Sequence, residues 1–460
     1  MSSSDVDAGP LAAEHLAALI RIPTVSASPT GVDATTHARA HAAHIAELHA
    51  VLSEMYPRLH AATTVRTIGR TGRLWHLPGG GTAAGARPTA PLVLMAHADV
   101  VPADEADGWT HPPFAGVVRD GTVFGRGTLD DKGALVVALE AFEGLLTEAW
   151  TPPRDVLVWV GGDEEVFGSD AREFAAWLRE QDVRPWLVLD EGGAVVDAPL
   201  PFIDVEAAMV GVGEKGVMAV RLEATGDPGH ASAPAGRSAT ERIARAVLRL
   251  RARPFPARLP EPARAMLRAF VPHATGPSRQ LLRLLVAVPA LTAFLFARLG
   301  GDAAALVRTT VAPTMLRGGT AVNVLPSTAS ATLNLRLALG TSTASAARRI
   351  ARVVGDRSVR VVVMEREEAT PAAPSDNAQF AAIRDAVAQA YPGAVVVPYI
   401  ALAATDARHL QRDALETYRF APLRMSTAQR ATIHGVDERV EVDALARGVR
   451  FFRALLEDLR

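Results

Sequence analysis

Apolar residues follow two different spacings along the chain, and these spacings separate predicted strands from predicted helices. Three short runs are apolar at nearly every position and have the length of strands: 91–96, 156–160 and 186–189. Strands that are apolar on both faces are typical of a sheet covered by helices on both sides. Residues 131–150 and 169–181 instead show the helical spacing of apolar positions. Strands that alternate with helices predict an α/β domain.

The pattern changes after residue 210. Residues 217–224 and 331–337 alternate between apolar and polar positions, as half-exposed strands do, and residues 239–253 form an amphipathic helical pattern. These features predict a smaller α+β domain. Residues 254–311 lie within it as an apolar segment with interspersed arginines, which we predict to be helical.

The α/β pattern returns at residue 377 and continues to the end of the chain. The smaller domain is therefore predicted to be inserted into the larger one. We place the α/β domain at residues 1–209 and 369–460, and the inserted α+β domain at 210–368, with the apolar insertion at 254–311. A chain of 460 residues is long enough for two such domains.

The composition restricts the chemistry that the chain can perform. It contains no cysteine, so any metal must be held by His, Asp or Glu. Its 48 basic and 50 acidic residues argue against a nucleic-acid-binding protein. Only two basic residues are lysines, Lys132 and Lys215, and we expect Lys132 to balance charge in the loop that precedes it.

Membrane and secretion signals are weak. The N-terminus is polar and acidic, unlike a signal peptide. The most apolar run, between Arg283 and Arg298, is interrupted by Pro289 and is too short to cross a bilayer. We predict a buried helical hairpin or an apolar lid there, no stable membrane span, and a cytoplasmic protein.

Two motifs place candidate ligands beside the predicted sheet. His97 and Asp99 end a buried strand and point the same way, and a metal-binding imidazole often has a carboxylate on its other nitrogen. Asp130 and Asp131 precede a predicted helix, where capping explains one carboxylate but not two. An aspartate in this position, beyond the one needed for capping, could bridge two cations.

Three further segments complete the inventory. Asp163, Glu164 and Glu165 follow a strand, at the edge where open α/β sheets bind ligands, and adjacent carboxylates repel each other without a cation. A solvated acidic loop is the alternative interpretation. Asp190 ends another strand, and His434 lies near the C-terminus. Together these N and O ligands suit two zinc ions.

The order and spacing of these segments, from His97 to Glu438, resemble the M20 family of metallopeptidases and amidohydrolases. The similarity is to its aminoacylase-1, carboxypeptidase S and N-fatty-acyl-amino-acid hydrolase branch. This resemblance implies a set of metal ligands: His97, bridging Asp130, Glu165, Asp190 and His434. Glu191 is an open alternative to Asp190. The resemblance also implies that Asp99 orients His97, that Glu164 is the general base, and that the Asp130–Asp131 peptide bond is cis.

The resemblance implies that the α/β domain is the catalytic domain and that the inserted domain is a lid or dimerisation domain. This lid domain carries further residues that match the same family. Gly229-His230 resembles the lid histidine that stabilises the oxyanion in a neighbouring subunit's site. Asn323 lies in a segment resembling one that contacts substrate, and Arg336 takes the place of an arginine for the substrate carboxylate, a contact that a planar guanidinium suits. Two positions depart from the family: Val166-Phe167-Gly168 follow Glu165, and Asn334 replaces a frequent Asp.

The resemblance implies hydrolysis of an amide in an N-acyl amino acid or short peptide with a free carboxylate. A metal-activated water would attack the amide, and Glu164 would act as the general base. The cofactors would be two Zn²⁺ ions, with Co²⁺ or Mn²⁺ as alternatives. The partner would be a small-molecule substrate, without nucleic acid. A homodimer through the lid domain and a site complete within one chain remain open. Competing functions are a metallo-dipeptidase, a biosynthetic N-deacylase and a non-catalytic binder; the apolar insertion favours an apolar acyl group.

Two other motifs receive structural interpretations. Residues 211–216 fit G-x-G-x-x-G, but a strand-like segment follows them, whereas a dinucleotide site requires a helix. His37, His41 and His44 share one face of a predicted helix, and we expect a half-exposed helix face there rather than a metal site. Asp406 is expected to support the active site.

Overall fold

The computed structural model describes residues 3–26, 34–80, 90–200, 202–234 and 236–459. Its helices, in chain order, are α1 (Ser3–Ile20), α2 (Ala34–Met55), α3 (Pro57–Ala62), α4 (Lys132–Thr147), α5 (Ser169–Glu180), α6 (Ala239–Ala252), α7 (Glu261–Phe270), α8 (Gly276–Ala287), α9 (Pro289–Leu299), α10 (Gly301–Val307), α11 (Thr343–Val354), α12 (Ala378–Ala390), α13 (Thr427–Arg430) and α14 (Val442–Glu457).

The strands, in chain order, are β1 (Thr64–Ile68), β2 (Gly72–Leu77), β3 (Leu92–His97), β4 (Val117–Arg119), β5 (Thr122–Phe124), β6 (Val156–Gly161), β7 (Leu187–Asp190), β8 (Ala194–Asp197), β9 (Glu206–Glu214), β10 (Gly216–Thr225), β11 (Gly229–His230), β12 (Thr310–Gly318), β13 (Val324–Leu325), β14 (Thr328–Leu337), β15 (Val359–Glu367), β16 (Val395–Ala401), β17 (Thr417–Arg419) and β18 (Arg439–Glu441).

The larger domain is built around a nine-stranded sheet with the order β1-β2-β6-β3-β7-β17-β9-β16, and β8 pairs with β9. Its central strands β3, β6 and β7 are parallel and buried along their whole length. One face packs on α1, α4, α12 and α14. The other face packs on α5, where Phe174 stacks on Trp159. This confirms the predicted α/β fold with a sheet covered by helices.

The parallel strands bring the candidate ligands to one edge. His97 is the last residue of β3, and Asp190 is the last residue of β7. Glu164 begins a short turn just after β6. Because carboxyl ends of neighbouring parallel strands meet at the same edge, these three segments lie side by side.

The inserted domain is a four-stranded antiparallel sheet, β12-β14-β10-β15, whose buried face packs on α6 and α11. Alternate residues of β10 are buried, as its polar and apolar pattern predicts. Strand β9 belongs to the large sheet up to Glu214, so the chain passes between the two sheets at Lys215. The sheet pairing thus favours a domain boundary at Lys215, later than the predicted boundary at 210.

The apolar insertion consists of four helices, α7–α10. Helix α7 packs on β16, so the insertion lies against the catalytic domain. The Lys215 ammonium donates hydrogen bonds to the carbonyl oxygens of Ala305 (2.9 Å) and Arg308 (2.9 Å) near the end of α10. Helices α8 and α9 form a hairpin with a bend of 108°, but it is only partly buried, because each helix packs on the protein with one face and leaves large apolar side chains exposed. Among the described helices, no single helix is long and apolar enough to span a membrane. The bent α8–α9 pair reaches the length and apolar composition of a span only when its two helices are counted together.

Candidate metal centre and substrate cleft

Two groups of potential ligands share Asp130. His97, Asp130 and Glu191 form one group, and Asp130, Glu165 and His434 form the other. Within each group the ligand atoms lie within 4.8 Å of one another. His97 Nε2 lies 2.9 Å from Asp130 Oδ1, and His434 Nε2 lies 3.1 Å from Asp130 Oδ2. The two carboxylate oxygens of Asp130 therefore face two different groups, as a bridging ligand requires.

Asp99 connects two strand ends. Its buried carboxylate lies 3.4 Å from His97 Nδ1 and accepts a hydrogen bond from Ser26 Oγ at 2.7 Å. It also accepts hydrogen bonds from the backbone N–H groups of Glu164 (3.2 Å) and Glu165 (3.1 Å). His97 Nδ1 lies closer to the backbone carbonyl oxygen of Asp99, at 3.0 Å. Asp99 therefore contacts the imidazole after β3 mainly through its main chain, and it holds the acidic turn after β6 through its side chain.

The loop carrying Asp130 is held by a distant acid, Glu438. The Oε1 atom of Glu438, which is fully buried, accepts backbone hydrogen bonds from Leu129 at 2.9 Å and Asp130 at 3.2 Å. Its Oε2 atom pairs with Arg126 Nη1 at 2.5 Å. The peptide bond between Asp130 and Asp131 is cis, as the resemblance implies. The backbone direction at the bridging residue is therefore set by a carboxylate from the C-terminal segment.

Lys132 follows this loop and is completely buried. Its ammonium donates hydrogen bonds to the carbonyl oxygens of Leu19 (3.0 Å) and Ile22 (2.9 Å), at the C-terminal end of α1. Burial lowers the pKa of Lys132 to about 7. The lysine thus ties the loop to a helix end, where unpaired carbonyls attract cations. This contact supplies a reason for the lysine that charge balance alone did not.

The turn after β7 separates the roles of Asp190 and Glu191. The Asp190 carboxylate is buried and accepts a hydrogen bond from the Ala407 N–H at 2.7 Å. The side chain that joins His97 and Asp130 is that of Glu191, which also lines the cleft. The geometry therefore favours Glu191 as the ligand and gives Asp190, the residue predicted from the sequence, a structural contact.

Glu164 lines the cleft beside the ligands but belongs to neither group among the described residues. Its Oε1 atom lies 3.7 Å from Arg408 Nη1. The turn is tightly constrained at Gly168, which has a φ of +56° and where a Cβ atom would lie 1.9 Å from Asp406 Oδ1. Asp406 is therefore buried directly against the turn that carries Glu164 and Glu165, although its carboxylate oxygens have no hydrogen-bond partner among the described residues.

The charges of the candidate ligand residues complement one another. Burial opposes the charged form of His97, but hydrogen bonds with Asp130 and Asp99 outweigh it and raise its pKa well above the usual value. Hydrogen bonds with Asp130 and Glu165 raise the pKa of His434 to about 10. Burial and the charge of Asp130 raise the pKa of Glu191. Imidazole nitrogens and carboxylate oxygens thus converge with complementary charges, and this set of donors fits a divalent metal ion.

Burial also raises the pKa of Glu164 well above that of an ordinary glutamate. Asp99 and Asp406 contribute to this rise through their negative charges. A carboxylate in such surroundings binds a proton more readily than a solvated one, which is the property that a general base needs.

Four of the candidate ligands, Asp130, Glu165, Glu191 and His434, line a cleft of about 1010 Å³. Large apolar side chains of the insertion and the catalytic domain line its other part: Leu200, Met209, Met266, Phe296, Leu299, Leu306 and Ile400. Five arginines also line it: Arg172, Arg336, Arg366, Arg408 and Arg430. Phe167, one of the family departures, lies in its wall and is 58% exposed. The cleft therefore joins a polar, ligand-rich end to an apolar wall.

The structure brings Arg336 to the cleft but not the other two lid residues. His230 and Asn323 are exposed and do not line the cleft of their own chain. The His230 Nδ1 atom accepts a hydrogen bond from the Ser232 backbone N–H at 3.2 Å, and the carbonyl oxygen of Asn323 accepts one from the Ala231 N–H at 3.0 Å. The two residues share a small lid element formed by β11 and β13.

Sequence reasoning missed the roles of Glu438 and Arg408. Glu438 and Asp130 are 308 residues apart, and nothing in the local sequence pairs them. Arg408, whose guanidinium lies beside Glu164, is only two residues after Asp406. A positively charged side chain so close to a predicted site residue was the signal that could have identified it.

The two rejected motifs have structural roles. Residues 211–216 contain the end of β9 and the start of β10, with no helix after them. His41 is buried, with Nε2 2.6 Å from the Gly162 carbonyl oxygen, whereas His37 is exposed. None of the metal-ligand groups found among the described residues includes a histidine of α2.

Comparisons with known proteins agree with this geometry. The family model for peptidase family M20/M25/M40 matches residues 93–458. The N-fatty-acyl-amino acid synthase/hydrolase PM20D1.1 of Danio rerio is 32% identical over 447 residues, covering 95% of this chain and 84% of that protein. The probable carboxypeptidase S-like 2 of Dictyostelium discoideum is 32% identical over 373 residues, covering 80% and 71%.

Solved structures share the fold at low sequence identity. The M20 family metallo-carboxypeptidase Sso-CP2 from Sulfolobus solfataricus has a TM-score of 0.68 at 16% identity, and the match covers 96% of this chain and 97% of that one. Human carnosine dipeptidase 1 has a TM-score of 0.63 at 14% identity, covering 98% and 97%. Both matches extend over the two domains.

Proposed function

The chain belongs to peptidase family M20/M25/M40, a family of hydrolases, and on that premise we propose that it hydrolyses the amide bond of N-acyl amino acids. One observation carries the proposal: a single cleft has a metal-ligand cluster at one end and an apolar wall along the other. Relatives named as N-fatty-acyl-amino acid synthase/hydrolases support an acyl substrate. The acyl chain would lie along the apolar wall.

We propose two zinc ions as the cofactor. His97, Asp130 and Glu191 would hold one, and Asp130, Glu165 and His434 the other, since imidazole and carboxylate ligands suit zinc. Zinc, when bound, supplies a Lewis acid for the amide carbonyl and lowers the pKa of water. Co²⁺ or Mn²⁺ accept the same ligand types.

Glu164 is proposed to move the proton. Its carboxylate lies in the cleft outside both ligand groups, so it is available to accept a proton from water and donate it to the leaving nitrogen. Asp99 orients this turn through its bonds to the Glu164 and Glu165 N–H groups.

The substrate carboxylate is assigned to Arg336. Arg408 already lies beside Glu164, whereas Arg336 reaches the cleft from β14 of the lid. A planar guanidinium can bind both carboxylate oxygens at once. This assignment explains how the enzyme would select N-acyl amino acids over simple N-acyl amines.

His230 and Asn323 are proposed to serve the cleft of a second copy, because they lie away from the cleft of their own chain. Two inactive variants, His230→Ala and Glu164→Gln, would test this. A mixture that regains activity after subunit exchange supports a shared site. Normal activity of purified His230→Ala alone would contradict it.

A substrate panel tests the main proposal. We expect N-long-chain-acyl amino acids to be cleaved faster than N-acetyl amino acids and dipeptides, with activity lost on chelation and restored by Zn²⁺. The carboxamide of the best substrate is the matched control, and it should be cleaved poorly because it lacks the charge that Arg336 binds. Preference for dipeptides would favour the dipeptidase alternative, and preference for N-acetyl substrates the biosynthetic deacylase. Absence of all amide hydrolysis in the metal-loaded protein would favour a binding protein.

A further inference from the structure

The α8–α9 hairpin, residues 276–299, exposes an unusual amount of apolar surface. Six of its large apolar side chains are exposed, namely Leu281, Leu284, Val288, Phe294, Leu295 and Leu299. Leu299 is 75% exposed and Phe294 is 53% exposed. Contiguous apolar patches of this kind mark interaction surfaces in most proteins.

The hairpin already buries a separate apolar face. Leu282 and Leu285 of α8 pack into the core cluster that joins the insertion to the catalytic domain. Thr292 and Ala293 provide the buried side of α9. The exposed leucines therefore do not complete the fold, and α9 is apolar on both sides. A helix that is apolar all round is typical of burial in protein or lipid.

The charged residues of the hairpin itself are all arginines. Between Glu261 and Asp302 the sequence contains no acidic residue, but five arginines. Arg283 and Arg298 belong to the hairpin and are exposed, and the Arg298 guanidinium lies over the Phe294 ring, 4.8 Å from its centroid. Exposed apolar side chains beside arginines are the pattern that binds anionic lipid surfaces.

The hairpin also forms part of the cleft. Phe296 and Leu299 line the apolar wall, while Phe294 and Leu295 on the same helix face outward. The 108° bend between α8 and α9 suits a hairpin that lies within an interface better than a straight span. A surface bound to the outward face would therefore lie beside the apolar part of the cleft.

We propose that the α8–α9 hairpin docks the enzyme on anionic phospholipid membranes. Phe294 and Leu295 enter the apolar boundary of the bilayer, and Arg283 and Arg298 contact lipid phosphates. This docking goes beyond the proposed hydrolysis, since lipid binding is measured without turnover. It would let an amphipathic substrate pass from the lipid surface to the cleft.

Vesicle co-sedimentation of the full chain tests the proposal. We expect binding to vesicles of phosphatidylcholine with phosphatidylglycerol, weaker binding to phosphatidylcholine alone, and a decrease with added salt. The double variants Phe294→Ser with Leu295→Ser, and Arg283→Glu with Arg298→Glu, should each bind about tenfold or more weakly. The matched control, Leu248→Ser with Leu316→Ser, removes leucines that are 63% and 68% exposed outside the hairpin, and should bind like the wild type.

Three outcomes would overturn the proposal. The first is no binding of the wild type to anionic vesicles at low salt. The second is an equal loss in the control and hairpin variants. The third is a fall in molar mass of the Phe294→Ser, Leu295→Ser variant, measured by light scattering without lipid, because the patch would then be covered by a second copy. Circular dichroism melting curves confirm that each variant is folded, and unchanged cleavage of a water-soluble short-acyl substrate separates lost docking from lost catalysis.

Discussion

The two ends of the cleft are built in opposite ways. At the polar end, side chains from the loops after β3, β6 and β7 are held by specific hydrogen bonds, as Asp99 holds His97 and the turn of Glu164. At the apolar end, Phe296, Leu299 and Leu306 make non-directional contacts from helices of an insertion. Hydrogen bonds and metal ligands depend steeply on geometry, whereas apolar burial scales with area. Single changes should therefore matter much more at the polar end.

The largest effect is expected for Glu164→Gln. The amide cannot take up the proton, so kcat should fall by on the order of 10²–10⁴-fold, the usual contribution of a general base. Metal content, measured by elemental analysis, should not change because Glu164 belongs to neither ligand group. Glu180→Gln, an exposed residue on α5, is the control. A wild-type kcat in the Glu164→Gln enzyme would show that Glu164 is not the general base.

A pair of adjacent variants separates ligand from support. Glu191→Gln should weaken metal binding by at least about tenfold. Loss of a residue that only hydrogen-bonds to a metal ligand already costs about that much, and Glu191 is proposed to be a ligand itself. Asp190→Asn should keep its metal but lower the free energy of unfolding by about 1–3 kcal/mol, since a buried acceptor for the Ala407 N–H is altered. Metal titration and denaturant unfolding measure the two effects. The reverse pattern would restore Asp190 as the ligand.

Gly168→Ala tests how rigidly the acidic turn is held. Its Cβ atom would overlap Asp406 Oδ1 at 1.9 Å, so the turn must shift, and we expect a loss of about 1–3 kcal/mol in stability together with reduced kcat. Gly340→Ala is the matched control, because Gly340 has a φ of +79° but open space around its Cβ. Differential scanning calorimetry and a kinetic assay compare the two. An equal effect at both positions would mean that backbone conformation alone, and not Asp406, determines the cost.

The smallest effect is expected at the apolar end. Leu306→Ser should raise KM for a long-chain acyl substrate by roughly tenfold, because about 1.5 kcal/mol or more of apolar burial is lost. KM for an N-acetyl substrate should stay the same, since a short acyl group does not reach α10. Steady-state kinetics on both substrates provide the internal control. An equal change in both KM values would show that the insertion does not bind the acyl chain.

Much of the fold is readable from the sequence because its strands are continuously apolar. The predicted strands at 91–96, 156–160 and 186–189 correspond closely to β3, β6 and β7. The predicted helix at 169–181 corresponds to α5, Ser169–Glu180. Strand β9 was harder to place, because it crosses the predicted boundary at 210 and pairs with β16, which comes much later in the chain.

The types of ligand that the candidate site can offer are readable from the amino-acid order alone. The absence of cysteine leaves only His, Asp and Glu as ligands, and the order of acidic and histidine segments marks the family. Their position at strand ends follows from the apolar runs before them. These properties are local or ordered along the chain, so no three-dimensional information is needed to read them.

Which side chains meet, by contrast, depends on the three-dimensional fold. Glu191 rather than Asp190 points toward His97 and Asp130, because these two adjacent side chains point in different directions at the end of β7. The fold brought Glu438 onto the Asp130 loop, and it placed Lys132 and Lys215 at helix ends. It also set the apolar insertion against the cleft. These contacts join residues distant in sequence, and packing of the whole chain, not local pattern, brings such residues together.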